Sequence, residues 1–300
     1  MTQFLQQIIN GLSLGSIYAL MALGYTMVYG IIKLINFAHG DFIMVGCYLA
    51  WLLADFMLLG GCPGWTVVLA CTLMCMVSIA LLAAFTEKIA YKPLRNSKKI
   101  TVLITAIAIE LILQNLWTKI FNSTIKTFPV EQTFNLGNIT IGEVSIPSII
   151  LLTIGLLAIC TIGLTIFVKK TKLGKAMQAV SENPNAASLM GINVNSTISL
   201  TFIIGGAIAG LSSILYCAYY QAMTPTLGGM LGIKAFVAAV LGGIGSIPGA
   251  VLGGLIIGVI EQLVAINWSS WIDLVTFLLL IIVLLVKPSG ILGKNRKEKV

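Results

Sequence analysis

Long apolar runs alternate with short polar breaks from one end of this chain to the other. A helix needs about 20 apolar residues to cross the hydrocarbon core, because each residue adds only about 1.5 Å of rise. Runs of roughly that kind fall near 6–31, 37–60, 64–87, 100–121, 146–168, 197–220, 229–246, 249–266 and 270–286. The seventh and eighth are short and divided only by Ser246, Ile247 and Pro248, so they read as two spans or as one interrupted element. The pattern predicts an all-α polytopic membrane protein of eight or nine transmembrane helices, with a single membrane domain over 1–300.

Composition removes the soluble alternative. Only 9% of residues are charged and 58% are hydrophobic, with a mean hydropathy of +1.02. Soluble domains carry about 25% charged residues, so this chain cannot coat itself with a water-facing shell. Its N-terminal stretch has no basic segment ahead of the apolar run, so the first span is expected to be retained.

The net charge of +8 would suit nucleic acid only if it were gathered on one surface, and it is not. Lys88, Lys92, Arg95, Lys98 and Lys99 follow the third span, Lys169, Lys170, Lys172 and Lys175 the fifth, and Lys287, Lys294, Arg296, Lys297 and Lys299 the last. The loops at 60–64, 122–145 and 221–228 hold only Lys126. Basic loops stay in the cytoplasm, which predicts an external N-terminus, a cytoplasmic C-terminus and an odd number of crossings.

Glycine spacing adds packing to this outline. Gly11 and Gly15, Gly206 and Gly210, Gly249 and Gly253, and Gly254 and Gly258 are each four apart, which lets helices approach closely. Two polar breaks, Asn36 to Asp41 and Thr224 to Gly229, interrupt helices in opposite halves and on opposite sides of the predicted bilayer. Such a recurrence is expected of inverted transporter repeats with broken helices.

Ionisable groups at membrane depth survive only when buried in protein or lining water. Glu110 and Gln114 share a helix face, Glu261 lies one turn past Gly258, and the only histidine, His39, sits beside Asp41. The acids are candidates either for an interhelical hydrogen bond or for a solute path, and His39 either caps and anchors its His-Gly-Asp turn or relays protons, since histidine titrates near neutrality. The six cysteines form no CxxC pair and suit apolar packing, and no nucleophile, metal-ligand or hydrolytic set exists in the sequence. Catalysis is not expected.

One polar loop, 169–195, carries a distinct pattern. After its basic start, Ala176, Met177, Ala179 and Val180 fall at helical spacing; the helix breaks at Asn183-Pro184 and restarts through Ala186 and Ala187 to Gly191. Asn183 is placed to cap the second helix and Gly191 to stop it. The small residues Asn185 to Ser188 suit close docking of another protein.

Here the chain resembles the permease family of branched-chain amino acid ABC importers. The resemblance rests on Ala186-Ala187 followed by Gly191-Ile192, on Ile35 to Asp41, on Ala235 to Ala250, on Glu261, and on Lys287 to Gly293, in that family's order. Asn185, Asp41 and Cys47 depart from it, standing where an acid, Glu and Ala are common. The resemblance implies a coupling surface at Gly174, Ala176, Asn185, Ala186, Ala187 and Gly191. The helix breaks and the polar groups at membrane depth suggest a path or gate involving Asn36, His39, Asp41, Glu110, Gly228, Gly229 and Glu261, with helix N-termini favouring a solute carboxylate. No phosphate-binding glycine loop with its lysine occurs, so no cofactor is expected on this chain. The family implies ATP and Mg in two partner ABC ATPase subunits, a second permease subunit and an extracytoplasmic solute-binding protein, all at a bacterial cell membrane. A proton-coupled secondary carrier, or a permease for urea, amides or another amino acid, is the competing expectation.

Overall fold

The computed structural model describes residues 2–33, 35–95, 97–134, 137–141 and 144–293. Lys294, Arg296, Lys297 and Lys299, read above as a cytoplasmic tail, lie outside them. The membrane helices are α1 (Thr2–Ile32), α2 (His39–Leu59), α3 (Gly64–Thr86, continuing as a π-helical turn Glu87–Tyr91), α4 (Lys99–Phe121) and α6 (Ser148–Lys170), then α9 (Val194–Tyr220), α10 (Leu227–Gly242), α11 (Ile247–Ala265) and α12 (Ile272–Val286). Eight of these elements are long and apolar enough to cross a membrane, and α10, at 16 residues, is shorter. The expected count of eight or nine is explained by that short helix. The segments flanking Ser246 are two helices joined by a tight turn: Ser246 Oγ accepts the Gly249 N–H at 3.2 Å and starts α11.

Between the spans lie shorter elements. An external-type loop carries β1 (Lys126–Thr127), α5 (Val130–Thr133) and a hairpin of β2 (Asn138–Ile141) with β3 (Val144–Pro147), where the sequence suggested only a connection. The basic loop folds as α7 (Lys172–Glu182) and α8 (Pro184–Leu189), and β4 (Ala222–Met223) precedes α10.

Helices α1, α2, α9 and α10 form the buried heart of the bundle, with α3 and α11 packed against them. By contrast α4, α6 and α12 expose apolar side chains such as Ile112, Ile159 and Ile281, a surface left for lipid or another subunit.

The packing repeats itself in reverse. Helix α1 lies antiparallel along α11, a Cβ on Gly11 falling 2.7 Å from Val259 Cα and one on Gly15 falling 2.8 Å from Leu255 Cα. Helix α9 lies along α3 in the same way, Gly206 seating on Ala80 at 2.9 Å and Gly210 on Met76 at 2.8 Å. Helices α2 and α3 pair as α10 and α11 do, and α2 crosses α10 itself. The unit α1–α3 is thus matched by α9–α11 with opposite direction, the inverted repeat that the two breaks suggested.

Loops also sort onto two faces. On one, Arg95 donates to Asn195 at 2.5 Å and ion-pairs with buried Glu87, Ser199 donates to Glu87 at 2.6 Å, and the Ile291 N–H bonds the Leu241 carbonyl at 2.9 Å. On the other, β1 pairs antiparallel with β4, Lys126 opposite Met223. Every basic loop named above, so far as it is described, sits on the first face.

Candidate functional site

The two broken connections meet inside the bundle. The N-terminus of α2 abuts the N-terminus of α10, and only glycine permits the contact: a Cβ on Gly40 would stand 2.6 Å from Gly232 Cα and collide with the Gly228 carbonyl oxygen. A Cβ on Gly228 would in turn strike the Asp41 carboxylate. Neither helix start has a side-chain cap; the His39 and Leu227 N–H groups bond the Asn36 and Thr224 carbonyls, and the positive ends of both helix dipoles lie at the crossing.

Polar side chains gather around this contact. Gln114 Nε2 on α4 donates to Asp41 Oδ1 at 3.1 Å and to Glu110 Oε1 at 3.3 Å. Gly229 stands against that pair, its Cβ position 3.2 Å from both Gln114 Nε2 and Glu110 Oε1. The Tyr25 ring packs on His39 with centroids 4.6 Å apart, and its hydroxyl lies 3.3 Å from the Cβ position of Gly232. Tyr91 donates to Asn36 Oδ1 at 2.7 Å. Yet Asp41 Oδ2, Tyr25 Oη, His39 Nε2 and Asn36 Nδ2 are buried and have no hydrogen-bond partner among the described residues. Each such atom, left unpaired, costs about 1–3 kcal/mol. Five sequence candidates therefore converge here, His39, Asp41, Glu110, Gly228 and Gly229, while Asn36 lies beside them in the chain but turns its side chain to Tyr91.

Glu261 belongs elsewhere. Its carboxylate is saturated by Tyr18 Oη at 2.9 Å, Thr276 Oγ1 at 2.8 Å and Lys234 Nζ at 3.1 Å, and Lys234 reaches Asp273 Oδ1 at 2.9 Å. Glu261 and Lys234 are buried, whereas Asp273 is half-exposed. The cluster ties α1, α10, α11 and α12 together.

The α7–α8 pair realises its sequence signals. Thr171 Oγ1 accepts the Gly174 N–H at 3.0 Å, and Asn183 Oδ1 accepts those of Asn185 and Ala186 at 3.0 and 3.1 Å. Gly191 takes φ +80°, so its N–H bonds the Ser188 carbonyl at 3.0 Å while that of Ile192 bonds Ala187 at 3.1 Å. Met177 and Val180 bury one face of α7 against the bundle. Of the predicted coupling residues, Asn185, Ala186 and Gly191 are exposed, Ala176 is half-buried, and Gly174 and Ala187 face inward. The tip is instead made by Leu189 and Met190, 89% and 83% exposed.

A family model described as the permease component of the branched-chain amino acid transport system matches residues 7–284. This chain belongs to that family. As a permease of this kind it is 43% identical to the high-affinity branched-chain amino acid transport system permease protein LivH of Escherichia coli K12, over 99% of this chain and 98% of that one. It is 42% identical to the corresponding protein BraD of Pseudomonas aeruginosa, with the same coverage. The probable branched-chain amino acid transport permease LivH of Methanocaldococcus jannaschii is 29% identical over 94% of this chain and 90% of its own. Among solved structures, PsaBC from Streptococcus pneumoniae in complex with Fab aligns at TM-score 0.45 and 16% identity, covering 96% of this chain and 93% of that one. The proton-coupled carrier finds no support in these matches.

Three features of the permease escaped the sequence reading. Lys234 was a lone cation inside an apolar run, and such a residue must find an acid within reach. Leu189 and Met190 were an apolar pair just ahead of a helix stop, with nothing beyond them to cover. The Glu87–Arg95–Ser199 contact joins residues 112 apart and left no local signal.

Proposed function

We propose that this chain is one membrane-spanning subunit of an ATP-driven importer for branched-chain amino acids. It is multi-pass in the cell membrane, with the face bearing α7, α8 and the basic loops in the cytoplasm. A second permease subunit completes the path, two ABC ATPases use ATP and Mg, and an extracytoplasmic binding protein delivers the solute. The observation that carries this reading is the α7–α8 pair, a capped and rigid element that holds an uncovered Leu189–Met190 tip beyond the bundle. Docked in an ATPase, that tip would pass closure of the nucleotide sites to α1, α6 and α9, against which α7 packs. Alternating access follows if the two inverted units then rock about the α2–α10 crossing.

The test is purification of the tagged chain from detergent with its co-expressed ATPases, followed by ATP hydrolysis with and without leucine-loaded binding protein. Recovery of the ATPases and stimulated hydrolysis are expected. A chain that purifies alone and moves leucine down an imposed proton gradient would overturn the reading.

A further inference from the structure

The crossing holds two carboxylates that no cation within the described residues neutralises. Asp41 is fully buried and Glu110 partly so, and neither takes part in an ion pair among those residues, in contrast to Glu261. What stands between them is one neutral donor, Gln114 Nε2, shared by an oxygen of each. A donor in that position that also carried positive charge would be held more strongly, because charge-assisted hydrogen bonds are about twice as strong as neutral ones. A second set of groups has the opposite preference. The uncapped first turn of α10, stripped of side chains at Gly228 and Gly229, presents backbone N–H groups beside the same carboxylates. The Tyr25 hydroxyl, 3% exposed and without a partner, lies at the Gly40–Gly232 contact and can donate. Anion-seeking and cation-seeking groups therefore face one another across the seam between α2 and α10.

We propose that this seam is a zwitterion site on the path: Asp41 and Glu110 receive the ammonium group of the passing amino acid in place of the Gln114 amide. The α10 N-terminus and Tyr25 Oη receive its carboxylate as α2 and α10 part. The assignment rests on the importer reading and gives it a solute-contacting set of residues on this chain. It also divides selectivity: the site reads the backbone of the amino acid, which every solute of this class shares, and leaves the side chain to other subunits.

The experiment uses the complete importer in proteoliposomes, with labelled leucine uptake and ATP hydrolysis measured on the same vesicles. For Glu110→Gln, leucine carried per ATP hydrolysed falls about tenfold or more, the value of one charge-assisted contact. Glu110→Asp recovers most of that loss, because charge and not shape is required. Tyr25→Phe removes a hydroxyl that the resting fold leaves unpaired, so it lowers uptake while the thermal unfolding temperature stays level or rises. Wild-type coupling in Glu110→Gln, or equal failure of Glu110→Asp and Glu110→Gln in assembled complexes, overturns the site. So does wild-type uptake in Tyr25→Phe, the variant certain to fold if the hydroxyl is idle. Absence of ATP-driven uptake in the wild-type vesicles fails the importer reading and this site with it, whereas intact wild-type uptake beside an indifferent Glu110→Gln fails the site alone.

Discussion

Two acidic clusters lie inside this bundle, and they differ in how completely they are answered. Around Glu261, three side chains fill the carboxylate, and one of them, Lys234, supplies a cation that it shares with half-exposed Asp273. Around Asp41, the Gln114 amide bonds one oxygen, the other oxygen has no partner among the described residues, and Glu110 shares the same amide. Glu110 and Glu261 carry the same signal in sequence, an acid in an apolar run, whereas Asp41 closes a polar break. Membrane burial makes either arrangement expensive. The two clusters differ in their number of partners and not in depth, and under the proposal above that difference separates the acid that ties helices together from the acids that meet solute.

The largest expected effect tests the saturated side. Lys234→Met leaves Glu261 buried without its cation and should cost about 3–5 kcal/mol, read as a loss of thermal stability in detergent and of folded yield. Removing the acid as well should restore much of it: Lys234→Met with Glu261→Met is expected to be more stable than Lys234→Met alone by about 1–3 kcal/mol. A double variant no better than the single one would show that the pair is not a closed unit. On the open side the sign reverses. Asp41→Asn replaces an unneutralised buried charge with an amide, so stability should change by less than about 1 kcal/mol, in the stabilising direction, while leucine uptake drops. If Asp41→Asn unfolds the protein as Lys234→Met does, the contrast between the clusters is gone. Smallest in stability is Leu189→Asp with Met190→Asp, expected within about 0.5 kcal/mol of wild type by thermal unfolding because both side chains touch mainly solvent. The same variant should lose co-purifying ATPase, which separates docking from folding.

What the sequence made legible was local. Spans emerged because bilayer thickness dictates their length, and the α7–α8 break emerged because Asn183, Pro184 and Gly191 act on backbone groups within a few residues. The glycine pairs at 11 and 15 and at 206 and 210 announced close approach, but not that Val259 and Ala80 are what they approach. Partner choice is set by tertiary packing, so Lys234 with Glu261 and β1 with β4 could not be read along the chain. Within the candidate site, the residues flanking the two breaks were found because broken helices expose backbone. Tyr25 was not, since an aromatic in an apolar run looks like any other core residue until its hydroxyl is seen to lack a partner. The direction Ala187 faces was equally hidden, because small residues favour close contact on either side of a helix; it is buried within the described residues.

The glycine contact between α2 and α10 also has a mechanical meaning. Helices normally lock by ridges of side chains seated in grooves, and to move one past another those ridges must climb out. Gly40 opposite Gly228 and Gly232 offers no ridge on either surface. At the glycines themselves backbone meets backbone with no ridge to lift, while the Asp41 carboxylate, the Gln114 amide and the Tyr25 hydroxyl border the contact. A sliding or turning of α2 over α10 would therefore break polar contacts at its margin and not an interlocked apolar seat.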